Sequence, residues 1–300
     1  MDIEELKIPV PWGHVAAKAW GNEKNIPVLM IHGMADNAGS FDQLVPYLPT
    51  KFYYICIDLP GHGKSSHFPQ YLPLHPLNII LTYKFIVNHL KRDKYIVIGH
   101  SWGGRTAIFF TQLYPEHVLK LVLLDAVYLQ ALSVDGFSQY TVGQFDQITE
   151  INDIILNSSR PTYSYDKAVE KIQQGRAYGQ TLNKEAAEAL FKRSSVAADN
   201  GQFYFSNDIR IKTFAVNLLY DKRFANNLIK ALPITCPILF IIASESTVRL
   251  KRYKSIIDGL KKNNTKCFVK KVKGDHDVHI KQPEVVAKLI CNFLDNQSKL

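Results

Sequence analysis

A serine hydroxyl attacks a carbonyl only if a base stands ready to take its proton and an acid holds that base in place. Ser101 is the residue of this chain best set for such work. It stands at the centre of Gly99-His100-Ser101-Trp102-Gly103, a G-x-S-x-G pattern, with Tyr95-Ile96-Val97-Ile98 before it and Gly104-Arg105-Thr106-Ala107 after it. The apolar run reads as a buried strand and the sequel as a helix, so the pattern falls at a strand-to-helix junction, the context in which it carries chemistry. A serine there must take up a strained backbone conformation that lifts its hydroxyl above the sheet, and flanking glycines leave room for the bend. The helix behind it aims its N-terminus at the reacting centre, where negative charge gathers on oxygen. The amide of Trp102 is then one donor of an oxyanion hole.

The base and the acid must come from elsewhere in the chain. Lys273-Gly274-Asp275-His276-Asp277-Val278-His279 follows the last strand-like run and offers two imidazoles, His276 and His279. A general base belongs on such a loop, after the acid in chain order. Two carboxylates compete for the third role. Asp125 ends the run Leu121-Val122-Leu123-Leu124, and Glu245 follows Pro237-Ile238-Leu239-Phe240-Ile241-Ile242-Ala243-Ser244. Either gives the order serine, acid, histidine.

The elements that position these groups alternate in type. Strands are expected at Glu5–Val10, His14–Trp20, Pro27–His32, Phe52–Asp58, Lys94–Gly99 and Leu119–Asp125, with helices at Phe41–Leu48, Pro76–Leu90 and Gly103–Tyr114. Continuous apolar strands such as Val28-Leu29-Met30-Ile31 imply burial on both faces, and the alternation predicts an α/β fold around a mainly parallel sheet. From about Tyr128 to Leu232 strand-like runs are scarce and helical stretches such as Lys184–Arg193 and Phe224–Ala231 dominate. The pattern resumes with Pro237–Ala243, a helix near Val248–Leu260, a strand at Lys266–Lys273 and a helix at Pro283–Leu294. Residues 1–127 and 233–300 are therefore expected to form one core, and 128–232 a mostly helical cap inserted into it.

The wording of three segments, H-G-M-A-D-N-A-G-S-F-D from His32, D-L-P-G-H-G-K-S-S-H from Asp58 and G-H-S-W-G-G from Gly99, resembles the α/β-hydrolase superfamily. Within it the chain looks most like the serine hydrolase-like proteins of animals, a group near the kraken-type hydrolases. The resemblance implies an eight-stranded sheet, a helical cap after the sixth strand and a serine–acid–histidine triad. It implies His276 as the base, two residues after Gly274 and seven before Pro283. It implies Met34 as the second oxyanion donor, with Gly33 permitting close backbone approach. For the acid the chain departs from the common pattern, because the place after the seventh strand where most relatives carry an aspartate holds Ser246. The Asp-ended sixth strand matches the serine hydrolase-like group and favours Asp125, with Glu245 the alternative. His62 is expected to brace loops, not to catalyse.

Composition bounds the rest. The chain has 300 residues, 46% hydrophobic, enough for a substantial core. No apolar run approaches the ~18 residues of a membrane span. The N-terminus lacks an apolar secretory segment, and four scattered cysteines (Cys56, Cys236, Cys267, Cys291) suggest a reducing compartment, with neither disulfide framework nor zinc site. Much of the net charge of +9 lies between Arg249 and Lys273, and with no nucleic-acid motif beside it the run reads as a solvated face. The last residues, Ser298-Lys299-Leu300, spell the tripeptide read by the peroxisomal import receptor, which predicts a peroxisomal location.

The expected activity is hydrolysis of a carboxylic ester through an acyl-enzyme on Ser101, without metal or organic cofactor, on a small apolar acyl substrate. The alternatives are an acyl-CoA thioesterase and a silent hydrolase-fold binding protein. A serine at this position argues against epoxide hydrolase or dehalogenase chemistry, which in this fold generally uses an aspartate nucleophile.

Overall fold

A computed structural model describes residues 1–70, 75–129, 134–157, 159–176, 179–199, 201–213, 222–248 and 250–295. The Ser298-Lys299-Leu300 tripeptide lies outside the described residues.

Eight strands form one sheet: β1 (Ile3–Val10), β2 (Gly13–Trp20), β3 (Ile26–Ile31), β4 (Phe52–Ile57), β5 (Tyr95–His100), β6 (Val118–Leu124), β9 (Ile238–Ala243) and β10 (Cys267–Val272). Their spatial order is β1-β2-β4-β3-β5-β6-β9-β10. Only β2 runs against the others, pairing antiparallel with both β1 and β4. All residues of β4, β5 and β9 are buried. That is why these strands read as unbroken apolar runs: helices cover both faces. On one face pack α1 (Pro76–Leu90), α2 (Ser101–Leu113) and α7 (Lys254–Asn263), through Ile79, Tyr83, Ile108 and Ile257. On the other packs α8 (Pro283–Asp295), through Val286 and Ile290, together with Phe41 and Leu44.

The expected helix at Phe41–Leu48 is instead two short 3-10 turns, Ala38–Phe41 and Val45–Tyr47. Pro46 and Pro49 explain the difference, since a proline lacks the donor that continues a helix and keeps the residue before it out of the helical region.

Between β6 and β9 the described residues hold α3 (Phe137–Asn157), α4 (Tyr165–Gln174), α5 (Lys184–Ser194) and α6 (Lys222–Ala231). They also hold a hairpin of β7 (Ser195–Ala197) and β8 (Phe203–Phe205), which the pattern of this insert does not announce. Strands of three residues are too short for a two-residue periodicity to declare itself.

The insert is tied to the core by ion pairs, one of them fully buried. Arg193 of α5 reaches Asp58 at 2.8 Å and Glu5 at 2.6 Å. Arg193 and Asp58 are 3% and 0% exposed. Asp58 also accepts from the amides of Ala38 and Lys64, so one carboxylate holds three segments together.

Candidate active site

Three positions at the carboxyl ends of the strands are forced into left-handed backbone conformations. Ser101, Asp125 and Ala35 have φ of 48°, 45° and 64°. Non-glycine residues adopt this region at a steric cost, and such strain gathers where geometry matters more than comfort. At Ser101 the cause is plain: β5 ends at His100 and α2 begins at Ser101, with no loop between. The bend fits because its neighbours lack side chains. A Cβ on Gly104 would stand 2.6 Å from the Ala126 Cβ and 2.7 Å from the Gly99 carbonyl.

Asp125 follows the last residue of β6, the neighbour of β5 in the sheet. It is fully buried, its amide donates to the Ile241 carbonyl, and its Oδ1 accepts from the Ala243 amide at 3.0 Å. The free oxygen, Oδ2, lies 2.5 Å from His276 Nδ1, and His276 Nε2 lies 2.8 Å from Ser101 Oγ. A carboxylate only accepts, so Nδ1 carries the hydrogen and donates to Asp125. Nε2 is then left as an acceptor, and the Ser101 hydroxyl donates to it. A continuous hydrogen-bonded chain thus runs from the buried carboxylate to the serine oxygen.

Glu245, the alternative acid, is exposed, and the amide of its own backbone is bonded to the Gly274 carbonyl. His279, the other imidazole considered, is buried and stacks on His100 at 4.0 Å between centroids. Neither is joined to the chain of Ser101, His276 and Asp125.

Met34 and Trp102 line the same cavity as Ser101 and His276, a space of about 580 Å³. Gly33 permits this proximity, since a Cβ there would meet His100 Nδ1 at 2.9 Å and the Ser101 Cβ at 3.2 Å. His62 braces the loop carrying Met34: its Nε2 accepts from the Ala35 amide at 3.1 Å, and its Nδ1 lies 3.0 Å from the Pro60 carbonyl. Burial pushes His62 down to about 3, so the ring is neutral and free to accept.

Sequence reasoning missed the clamp around this centre. Arg176, from the insert, binds Asp277 through Nε at 2.8 Å and also contacts both oxygens of Asp36. Asp36 lies on the loop after β3 and Asp277 directly follows His276, so one guanidinium joins both sides of the site to the insert. Burial alone would lower Arg176; the Asp36 and Asp277 carboxylates outweigh it and hold the guanidinium above its ordinary range. Burial would likewise raise Asp277, yet the hydrogen bonds from Arg176 hold its carboxyl well below the usual carboxylate range. Beneath lies His100, whose Nε2 donates to the His276 carbonyl at 3.0 Å. Burial, with the His276 imidazole behind it, pushes His100 down to about 4.

A second cavity of about 450 Å³ adjoins the first, sharing Ala35, Phe205 and Asn207 with it. Its walls include Ile154, Ile155, Tyr163, Ile209 and Ile211. Among the described residues no group of histidine, cysteine, aspartate or glutamate side chains has the arrangement of a metal site.

Comparison with known proteins agrees with this architecture. The chain is 32% identical over 306 residues to a serine hydrolase-like protein of Danio rerio, covering 98% of this chain and 89% of that one. A hypothetical protein of Pseudomonas aeruginosa has a solved structure of the same fold, with TM-score 0.82 at 23% identity over 97% of this chain and 99% of its own. The thioesterase domain from the curacin biosynthetic pathway follows at TM-score 0.79 and 18% identity, covering 97% of this chain and 99% of that domain. Residues 26–283 match the α/β hydrolase fold family, and the chain belongs to it, with serine hydrolase-like proteins as its relatives.

Proposed function

We propose that the protein hydrolyses carboxylic esters through an acyl-enzyme on Ser101. The observation that carries this reading is the 2.8 Å contact between Ser101 Oγ and His276 Nε2, backed by Asp125 at 2.5 Å. In the first half-reaction the Ser101 oxygen attacks the ester carbon while its proton passes to His276 Nε2. The backbone amides of Trp102 and Met34 hold the oxyanion, and Asp125 stabilises the imidazolium without itself taking the proton. Collapse of the tetrahedral intermediate expels the alcohol, which leaves with the proton from His276. Water, deprotonated by the same imidazole, then frees the acid and restores the serine. The isoleucine-walled part of the second cavity suits the acyl chain.

Labelling with a fluorophosphonate probe tests the reading, because only an activated serine reacts. Wild type should label at Ser101, and Ser101→Ala should not. A wild type that labels no better than Ser101→Ala would mean a hydrolase fold kept as a binding module. A chain-length panel of acyl esters run beside the matching acyl-CoAs then separates ester from thioester specificity.

A further inference from the structure

Arg105 is a cation inside the reaction chamber that has no counter-ion among the described residues. It lies four residues after Ser101 on α2, so the two side chains share one helix face. Long side chains on a helix lean toward its N-terminus, which here is the nucleophile end. Arg105 lines the cavity that holds Ser101 and His276. It is half-buried, and its Nε is a fully enclosed donor with no acceptor. Among the described residues no carboxylate, carbonyl or aromatic ring is bonded to it. The two acidic residues lining the chamber, Asp36 and Asp277, both bind Arg176 instead.

Packing alone does not account for a guanidinium at this position. Its neighbours on α2, Thr106, Ala107, Ile108 and Phe109, are all buried, and an apolar residue would fill the place without the cost of an unpaired charge. Arginine's planar fork of donors matches a carboxylate, to which it can make two parallel bonds. From this we infer that Arg105 forms an anion subsite, and that the preferred ester carries a carboxylate which docks on it during attack by Ser101. The inference rests on the ester-hydrolase reading above and narrows its substrate class. The carboxylate belongs either to the acyl chain or to the alcohol, and both sources present the same group to Arg105.

Three esters of matched length provide the test: 4-nitrophenyl hexanoate, the mono-4-nitrophenyl ester of adipic acid, with its anion on the acyl side, and 3-carboxy-4-nitrophenyl hexanoate, with its anion on the leaving group. Wild type should favour one charged ester over the neutral one in kcat/KM, and the favoured ester reveals which side the anion occupies. In Arg105→Gln that preference should fall about 10- to 100-fold, the range expected for a lost hydrogen bond to a charged group, and Arg105→Lys should retain part of it. Equal preference in wild type and Arg105→Gln, or no preference for either charged ester in wild type, would overturn the subsite. Failure of the parent reading looks different: no ester turns over and no fluorophosphonate labels Ser101. The subsite is then judged by calorimetry with hexanoate against the neutral hexanamide. Tighter hexanoate binding that Arg105→Gln abolishes supports it, and equal or absent binding overturns it.

Discussion

His276 Nδ1 lies 2.5 Å from an oxygen of Asp125, a residue 151 positions earlier in the chain, while Glu245, far nearer in sequence, stays exposed just beyond the end of β9. The strand order explains this. Asp125 directly follows β6, which pairs with the nucleophile strand β5, and its other oxygen is fixed by the Ala243 amide at the end of β9. The carboxylate is therefore anchored on two strands before it meets the imidazole.

Replacing Asp125 by Asn should lower kcat by about three to four orders of magnitude, since the amide favours the wrong imidazole tautomer. Glu245→Gln should stay within about twofold of wild type, as expected for an exposed residue outside the site. Steady-state kinetics on one activated ester checks both. A large loss in Glu245→Gln with a mild one in Asp125→Asn would reverse the assignment.

The Arg176 clamp should be visible in stability. Arg176→Met strands two buried carboxylates and should cost about 3–5 kcal/mol, while the triple variant Arg176→Met, Asp36→Asn, Asp277→Asn should recover most of that. The sign with pH follows from Asp277. Its carboxyl is held below the usual range in the folded protein, so its stabilisation is complete above the ordinary value of ~4 and fades as pH falls below it. The gap between wild type and Arg176→Met in urea unfolding should accordingly narrow below about pH 4. A gap independent of pH would contradict the ion-pair account.

Acid should also weaken the fold through buried neutral histidines. His100 is pushed down to about 4 and His62 to about 3, while burial holds His279 well below the ordinary imidazole value. Unfolded chains bind these protons from about pH 6.5 downward and the native protein does not, so stability falls as pH drops toward 4. Each histidine contributes a slope of up to ~1.4 kcal/mol per pH unit. His279→Phe should remove one such contribution and flatten the curve between about pH 6 and 4. An unchanged slope would show that His279 is already protonated in the folded protein.

Much of this was legible in the residues, for reasons that differ by element. Strands such as β4 and β9 declared themselves because burial on both faces demands an unbroken apolar run. The bend at Ser101 was legible because its constraint is local: strand, serine and glycines are contiguous. The acid could only be narrowed to two carboxylates, since strand order, which decides between them, is not written in either segment. Arg176 left no trace, because its partners lie 140 and 101 residues away and nothing nearby distinguishes it from a surface arginine. Arg105 was hidden differently: it sits in plain view within the nucleophile helix, but a charge with no partner among the described residues is recognised only once its surroundings are known.

The abrupt meeting of β5 and α2 at a single residue restricts which nucleophiles position 101 accepts. At φ 48° a β-branched residue is a steric outlier, whereas an unbranched one is tolerated. Threonine, though it carries the same hydroxyl, is thereby barred, and cysteine is admitted. Ser101→Cys should fold with a melting temperature near that of wild type and present a thiol to His276, while Ser101→Thr should lose both stability and turnover. A well-folded, active Ser101→Thr protein would show that the bend is softer than its torsion implies. The backbone has in this way limited the chemistry open to descendants of this chain, independently of any substrate.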